Sequence, residues 1–176
     1  MGRARVFIAA SLDGFIAGPE DDLSWLPTAL EPSPGAITFS SFMEGVGAML
    51  MGRRTYDMVA GFDGPWPYGA VPVSVVTHRA LEGVPETVRA VSGDISDLVA
   101  AALDAAGGMD VYIDGGSVVQ QCLAADLIDE LIITTVPILL GGGVRLFASL
   151  PASRAFTFAP PVQYGELVQL RAFRAR

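Results

Sequence analysis

The sequence contains no lysine, because arginine accounts for all eleven of its positively charged side chains. A lysine amine is the anchor of pyridoxal phosphate and the phosphate contact of P-loop NTPases, so both kinds of chemistry are excluded. One histidine, His78, and one cysteine, Cys122, are too few for a zinc cluster, a disulfide or a redundant Ser-His-Asp triad. We therefore expect no metal site, and we expect Cys122, which lies in an apolar helical pattern, to be a core thiol.

Positive charge is also scarce, and the formal net charge is −8. This balance disfavours a general nucleic-acid or membrane-surface binder. The most apolar run, residues 131–140, is too short to span a bilayer, and the first residues lack the pattern of a signal peptide. We expect a cytoplasmic protein.

The remaining composition is that of a globular protein with a large core, since 51% of the 176 residues are hydrophobic. Apolar strand patterns alternate with helical patterns, which predicts a mostly parallel central sheet with helices on both faces. Segments near 156–158 and 167–173 read as terminal antiparallel strands. We expect a single domain over residues 1–176, of the α/β class with three layers.

One strand-to-helix junction stands out at Gly52, where an apolar strand gives way to Arg53-Arg54-Thr55. Unpaired N–H groups and the helix dipole favour an anion at a helix start, and two guanidinium groups with a hydroxyl favour a phosphate. Taken alone, these residues are equally compatible with a solvated charged turn.

A second helix start follows Gly115-Gly116, so that two helices could hold a pyrophosphate between them. Thr77-His78-Arg79 follow another strand and suit a further phosphate, although His78 by itself also suits a surface turn. The carboxyl ends of parallel strands share one edge of a sheet, which places these groups together. The usual G-x-G-x-x-G and P-loop patterns are absent.

These motifs, in this order, resemble dihydrofolate reductase: residues 8–10, 24–26, 51–56, 113–116 and 131–134. Residues 10–18 are more similar to the C-terminal reductase domain of the bifunctional riboflavin-biosynthesis deaminase/reductase. The resemblance covers residues 6–173 and includes small single-domain bacterial proteins. It implies a dihydrofolate reductase-like fold, an NADPH cofactor and a homodimer.

The resemblance also implies a set of cofactor-binding residues. Ala10, Ile16 and Ala17 would line the nicotinamide, and Thr77, His78 and Arg79 would hold the 2′-phosphate. The phosphate-binding set would be Gly52, Arg53, Arg54, Thr55, Gly115, Gly116, Ser117 and Val118. Asp114, which directly precedes Gly115, is also predicted to bind the cofactor.

Three residues are candidates for the catalytic side: Asp13, Trp25 and Thr134. Trp25 and Thr134 fall where the reductases have an active-site tryptophan and a substrate-contacting threonine. Asp13 either donates a proton or caps the turn at Gly14. Dihydrofolate reductase has an acid on the helix before the Met-Gly-Arg strand, whereas residues 36–42 contain none here, so we expect poor reduction of dihydrofolate.

We therefore expect an NADPH-dependent reductase that transfers hydride to a small heterocyclic, carbonyl or imine acceptor. The alternative is an NADP(H)-binding protein without turnover, such as a sensor or a structural dimer.

Overall fold

The computed structural model describes residues 2–27 and 33–175. They form a nine-stranded sheet, a separate two-stranded ribbon and four α-helices. The strands are β1 (Ala4–Ser11), β2 (Phe15–Ala17), β3 (Val46–Gly52), β4 (Val73–Val76), β5 (Val88–Val91), β6 (Asp110–Asp114), β7 (Glu130–Val136), β8 (Val144–Arg145), β9 (Phe156–Phe158), β10 (Val162–Tyr164) and β11 (Leu167–Arg174). The helices are α1 (Phe39–Met43), α2 (Arg53–Ala60), α3 (Ile95–Ala105) and α4 (Gly116–Ala124).

The large sheet has the order β10-β11-β7-β1-β6-β3-β4-β5, and β9 pairs with the far part of β11. In this order, every pair of neighbouring strands from β7 to β5 is parallel. The pairs that β11 makes with its neighbours are antiparallel. The expected α/β class, the mostly parallel sheet and the antiparallel C-terminal strands are confirmed.

Two cores cover the two faces of the sheet because side chains alternate along each strand. On one face, Val6, Leu50 and Ile113 pack with Val99 of α3 and Val119 of α4. On the other face, Met49, Met51 and Tyr112 pack with Phe42 of α1 and with the aromatic segment that contains Trp66 and Tyr68. The three-layer arrangement follows from these two buried faces.

The ribbon formed by β2 and β8 is absent from the sequence prediction. Phe15 pairs with Arg145 and Ala17 pairs with Val144. The two strands have only three and two residues, which is too short for an alternating pattern to reveal them. Their pairing nevertheless covers the start of α4.

Two helices begin at capping residues whose signals are local. Thr38 caps α1 with a reciprocal bond to Ser41, and Asp94 accepts the Ser96 N–H at the start of α3. Among the described residues, no helix has the length and apolar character required to cross a membrane.

Candidate functional site

The starts of α2 and α4 face each other at the carboxyl edge of the sheet. Gly115 has a φ of +89°, and a Cβ atom there would overlap the Thr55 hydroxyl and lie 3.3 Å from the Gly52 nitrogen. Only glycine allows this backbone conformation and this close approach without strain. The two helix N-termini are thus held together with their free N–H groups and dipoles directed to one place.

A cleft of about 620 Å³ opens at this junction. It is lined by parts of β1, β2, α2, β4, α4 and β8 and by the segments that follow β5 and β6. Among its lining residues are thirteen of the predicted site residues: Ile16, Ala17, Gly52, Arg53, Arg54, Thr55, Thr77, His78, Asp114, Gly115, Gly116, Ser117 and Val118. Residues that are far apart in the chain are therefore brought together as the sheet topology requires.

Both arginines at the start of α2 already contact acids. The Arg53 Nε donates to Asp57 at 2.7 Å, and its Nη1 donates to the Ala80 carbonyl at 3.2 Å. Arg54 donates from Nε to Asp21 at 2.7 Å, and its Nη2 lies 2.7 Å from the second oxygen of the same carboxylate. A phosphate entering the cleft would share or replace these partners.

Gly116 faces the ribbon rather than open space. A Cβ atom on this residue would lie 3.1 Å from Ile16, 3.2 Å from Val144 and 3.3 Å from the Arg145 carbonyl. A bulky side chain there would therefore disturb the packing of β2 and β8 on α4. Ser117, the next residue, is exposed and lines the cleft.

Asp114 is the buried acid of the site, with 9% of its surface exposed. Its Oδ1 accepts the Gly115 N–H at 2.8 Å. No arginine in the described part of the chain forms an ion pair with it. Burial raises the pKa of this carboxyl from 3.8 to about 6, although the Gly115 N–H opposes the shift. The carboxyl therefore lies close to its titration point near neutral pH.

Asp13 has a different environment from the one that a proton donor needs. It accepts the Ser11 hydroxyl at 2.6 Å and the N–H groups of Leu140 and Gly141 at 3.1 and 2.8 Å. The hydrogen bond from Ser11 is the largest of the effects that lower the pKa of Asp13 to about 2. Asp13 therefore stays ionised and ties the β1–β2 turn to the segment after β7, which favours its turn role over proton donation.

Four other predicted residues lie outside the lining of the cleft. The Ala10 side chain packs in the core beside α4, and Arg79 is exposed beyond the end of β4. The Trp25 indole donates to the Asp22 carbonyl at 3.1 Å, within its own loop. Thr134 is buried on the opposite face of the sheet, where its hydroxyl accepts from Gln169 at 3.3 Å. Direct side-chain contact with a molecule in the cleft is thus not supported for these four residues.

Several lining residues were missed by sequence reasoning. Asp21 and Leu23 come from the loop after β2, Ser92 and Gly93 follow β5, and Gln121 lies on α4. Ser92 and Gly93 follow a strand, so the strand-end rule alone could have found them. Nothing local marks Asp21, because its role depends on Arg54, which lies 33 residues away.

The chain is similar to known proteins over nearly its whole length. The family model for the RibD C-terminal domain matches residues 4–170. The uncharacterized protein YwjB of Bacillus subtilis (strain 168) is 31% identical over 171 residues, which cover 97% of each chain. A crystal structure from Shewanella sp. PV-4, assigned provisionally to riboflavin biosynthesis, is 42% identical, covers 99% of both chains and has a TM-score of 0.86.

More distant structures share the fold. Dihydrofolate reductase from Enterococcus faecalis, complexed with NADP(H) and RAB-propyl, is 17% identical, with a TM-score of 0.66 and coverage of 99% and 98%. The diaminohydroxyphosphoribosylaminopyrimidine deaminase/5-amino-6-(5-phosphoribosylamino)uracil reductase of Thermotoga maritima is 16% identical, with a TM-score of 0.68. This chain covers 57% of that longer protein.

The match to residues 4–170 and the full-length relatives together support a reductase-like role and an α/β fold shared with dihydrofolate reductase. The chain belongs to the RibD C-terminal domain family.

Proposed function

We propose that this protein is an NADPH-dependent reductase that transfers hydride to a small organic acceptor. The observation that carries the proposal is the junction of two helix N-termini at Gly52 and Gly115, with Arg53 and Arg54 beside it. Backbone N–H groups, helix dipoles and guanidinium groups all favour phosphate oxygens, and a pyrophosphate would use both helix starts at once.

The proposal assigns the adenosine end of the cofactor to the side of the cleft formed by β4 and β5. Thr77 and His78 line that side, and the Arg53 guanidinium reaches toward it through the Ala80 carbonyl. A hydroxyl, an imidazole and a guanidinium suit the 2′-phosphate that distinguishes NADPH from NADH. The nicotinamide end would lie toward Ile16 and Ala17, whose apolar side chains exclude water.

NADPH, when bound, supplies the hydride, so the protein must position the acceptor and deliver one proton. We assign the proton to Asp114, which lines the cleft and, with its pKa raised to about 6, keeps a carboxyl proton to higher pH than an exposed aspartate does. Donation from the carboxyl to the acceptor heteroatom balances the hydride added at carbon, and water then returns a proton to the carboxylate. The sequence placed Asp114 among the cofactor-binding residues. We propose proton donation as its role instead.

Titration of the protein with NADPH, followed by cofactor fluorescence, tests the proposal directly. Arg53→Ala should weaken binding by about 10-fold or more, because a hydrogen bond to a charged group contributes about 1.5–3 kcal/mol. Arg89→Ala is the matched control, since it removes the same charge from β5, where Arg89 contacts Ser74 and does not line the cleft.

Oxidation of NADPH with a panel of carbonyl, imine and heterocyclic acceptors then separates the two functional alternatives. Binding with turnover supports the reductase, whereas binding without turnover against every acceptor supports a nucleotide-binding sensor. Failure of the protein to bind NADPH would exclude both.

A further inference from the structure

Asp114 and Tyr112 lie on one face of the central sheet. They are two residues apart on β6, and side chains alternate along a strand, so both point to the same side. On β1, Arg5 pairs with Tyr112, and the same register brings Phe7 level with Asp114. On β3, Met51 pairs with Asp114. The side chains beside the acid on both neighbouring strands are therefore apolar and uncharged.

The Tyr112 hydroxyl extends along the sheet to the level of the acid. It donates to the Phe7 carbonyl at 2.8 Å, and Phe7 is the residue that lies level with Asp114. The buried Tyr112 ring is held by Phe42, whose ring meets it edge-on at a centroid distance of 5.0 Å. Burial is the largest effect on the pKa of Asp114 and raises it, whereas the hydrogen bond with the Tyr112 side chain lowers it. The hydroxyl is therefore fixed between a backbone carbonyl and the carboxyl of Asp114.

An ionised Asp114 would have few hydrogen-bond donors around it. Its Oδ1 accepts the Gly115 N–H at 2.8 Å, and no arginine in the described part of the chain forms an ion pair with it. The titratable side chains that face it, among the residues that the structure describes, are Tyr112 and Tyr68. Loss of the carboxyl proton therefore leaves a buried negative charge without a cation, which is costly unless another donor turns toward it.

A tyrosine hydroxyl can serve both states of the acid, because it has one hydrogen to donate and an oxygen that accepts. While Asp114 is protonated, the Tyr112 hydrogen stays on the Phe7 carbonyl, and the Tyr112 oxygen can accept the carboxyl hydrogen. When Asp114 is ionised, rotation of the hydroxyl turns its hydrogen to the carboxylate. A hydrogen bond to a charged group is about twice as strong as one between neutral groups, which favours this rotation.

We propose that Tyr112 is a positioning residue for the acid, and that its hydroxyl turns from the Phe7 carbonyl to Asp114 as the carboxyl gives its proton to the acceptor. The O–H bond of Asp114 breaks, and the acceptor heteroatom gains that hydrogen. Burial raises the pKa of Tyr112 well above its usual value, so Tyr112 keeps its own hydrogen and stays neutral. The hydroxyl stabilises the negative charge as it develops, which lowers the barrier to proton transfer. The inference rests on the proposed role of Asp114 as the proton donor.

Carbon-13 NMR of the aspartate carboxyl groups measures the pKa of Asp114 and requires no turnover. Tyr112→Phe keeps the ring that packs against Phe42 but removes the hydroxyl. The pKa of Asp114 should therefore rise by about one unit, which is about a 10-fold change in its proton affinity. Tyr68→Phe is the matched control, since Tyr68 is another buried tyrosine that faces Asp114, and it should leave this pKa unchanged. An unchanged or lower pKa in Tyr112→Phe, or an equal rise in both variants, would overturn the proposal.

The unchanged protein offers a second measurement that does not depend on the folding of a variant. The carbon-13 resonance of the Tyr112 Cζ atom, which carries the hydroxyl, should shift with the same midpoint as the Asp114 carboxyl, because the hydroxyl hydrogen changes its partner there. The Cζ resonance of Tyr68 should shift less. A Tyr112 resonance that stays constant while Asp114 titrates would contradict the proposal.

Turnover distinguishes this inference from the function on which it rests. With an acceptor that the protein reduces, Tyr112→Phe should lower kcat by about 3- to 10-fold at pH values below the pKa of Asp114, since the acid becomes weaker. The pH at which the rate falls should move upward by about one unit, while the affinity for NADPH stays within about 2-fold. A lower rate with an unmoved midpoint would assign Tyr112 a structural role only and overturn the proposal. Absence of turnover with every acceptor would count against the reductase, and the carboxyl titration would still test Tyr112.

Discussion

Asp21 and Arg54 form a two-point ion pair across the mouth of the cleft, with both N–O distances at 2.7 Å. Asp21 ends a short 3₁₀ turn, Pro19–Asp21, in which Glu20 and Asp21 have φ values of 56° and 64°. These left-handed conformations are unfavourable for residues other than glycine and persist only where other contacts hold them. The ion pair supplies such a contact and keeps the loop after β2 over the cleft.

Asp21→Asn should increase the affinity for NADPH, because the carboxylate competes with phosphate for the Arg54 guanidinium. Arg54 is 64% exposed in its side chain, so the expected gain is modest, about 1.5- to 5-fold. Fluorescence titration at low and high salt measures it. Asp22→Asn is the control for net charge, since Asp22 is exposed and bonds to Ser24. Weaker binding by Asp21→Asn would show that the pair helps to form the site.

NADPH should bind at least about 10-fold more tightly than NADH, because the 2′-phosphate adds a charge-assisted hydrogen bond at the end of β4. A double variant, Thr77→Ala with His78→Ala, should reduce this preference while leaving NADH affinity within about 2-fold. Parallel titrations with both cofactors measure the ratio. Equal affinities in the unchanged protein would place the 2′-phosphate elsewhere.

Asp114→Asn should lower turnover by about 10²- to 10⁴-fold, which is the usual contribution of a general acid. The pKa of Asp114 is raised to about 6, so the rate in the unchanged protein should fall as the pH rises above that value. The variant should lose this pH dependence but retain its affinity for NADPH. An unaltered pH profile in the variant would assign the proton to another donor.

The same substitution should change stability in a pH-dependent manner. Because the folded-state pKa of Asp114 is raised, its protonated form stabilises the fold fully below about pH 4, and this contribution is lost as the pH rises through about 6. The shift from 3.8 to about 6 corresponds to about 3 kcal/mol. Urea unfolding at pH 4 and pH 7 measures the free energy of unfolding. This free energy should decline less between the two pH values for Asp114→Asn than for the unchanged protein.

We expect a two-fold homodimer, because large apolar side chains remain exposed on the C-terminal half of the chain and on the turn that follows β1. Leu139 and Phe158 are each 69% exposed, and Leu12 is 64% exposed. Light scattering at micromolar concentration should give twice the mass of one chain, and Leu139→Asp should shift it toward the monomer. A monomer in the unchanged protein would contradict the expectation.

Local sequence patterns determined much of this protein. The buried strands and the helix starts at Gly52 and Gly115 depend on neighbouring residues, so their signals are short-range. Parallel topology then places the strand ends on one edge, which is why the cofactor side of the cleft could be assembled from separate motifs. The single-domain organisation stays a prediction.

Tertiary structure alone decided the chemical roles of the acids. Asp13 is held ionised by the hydroxyl of the nearby Ser11 and also by the N–H groups of Leu140 and Gly141, which lie more than a hundred residues away, and Asp21 is held by Arg54. Asp114 owes its raised pKa to burial among side chains from other strands. Desolvation and long-range hydrogen bonds set the protonation of a carboxyl, and neither has a local pattern in the sequence.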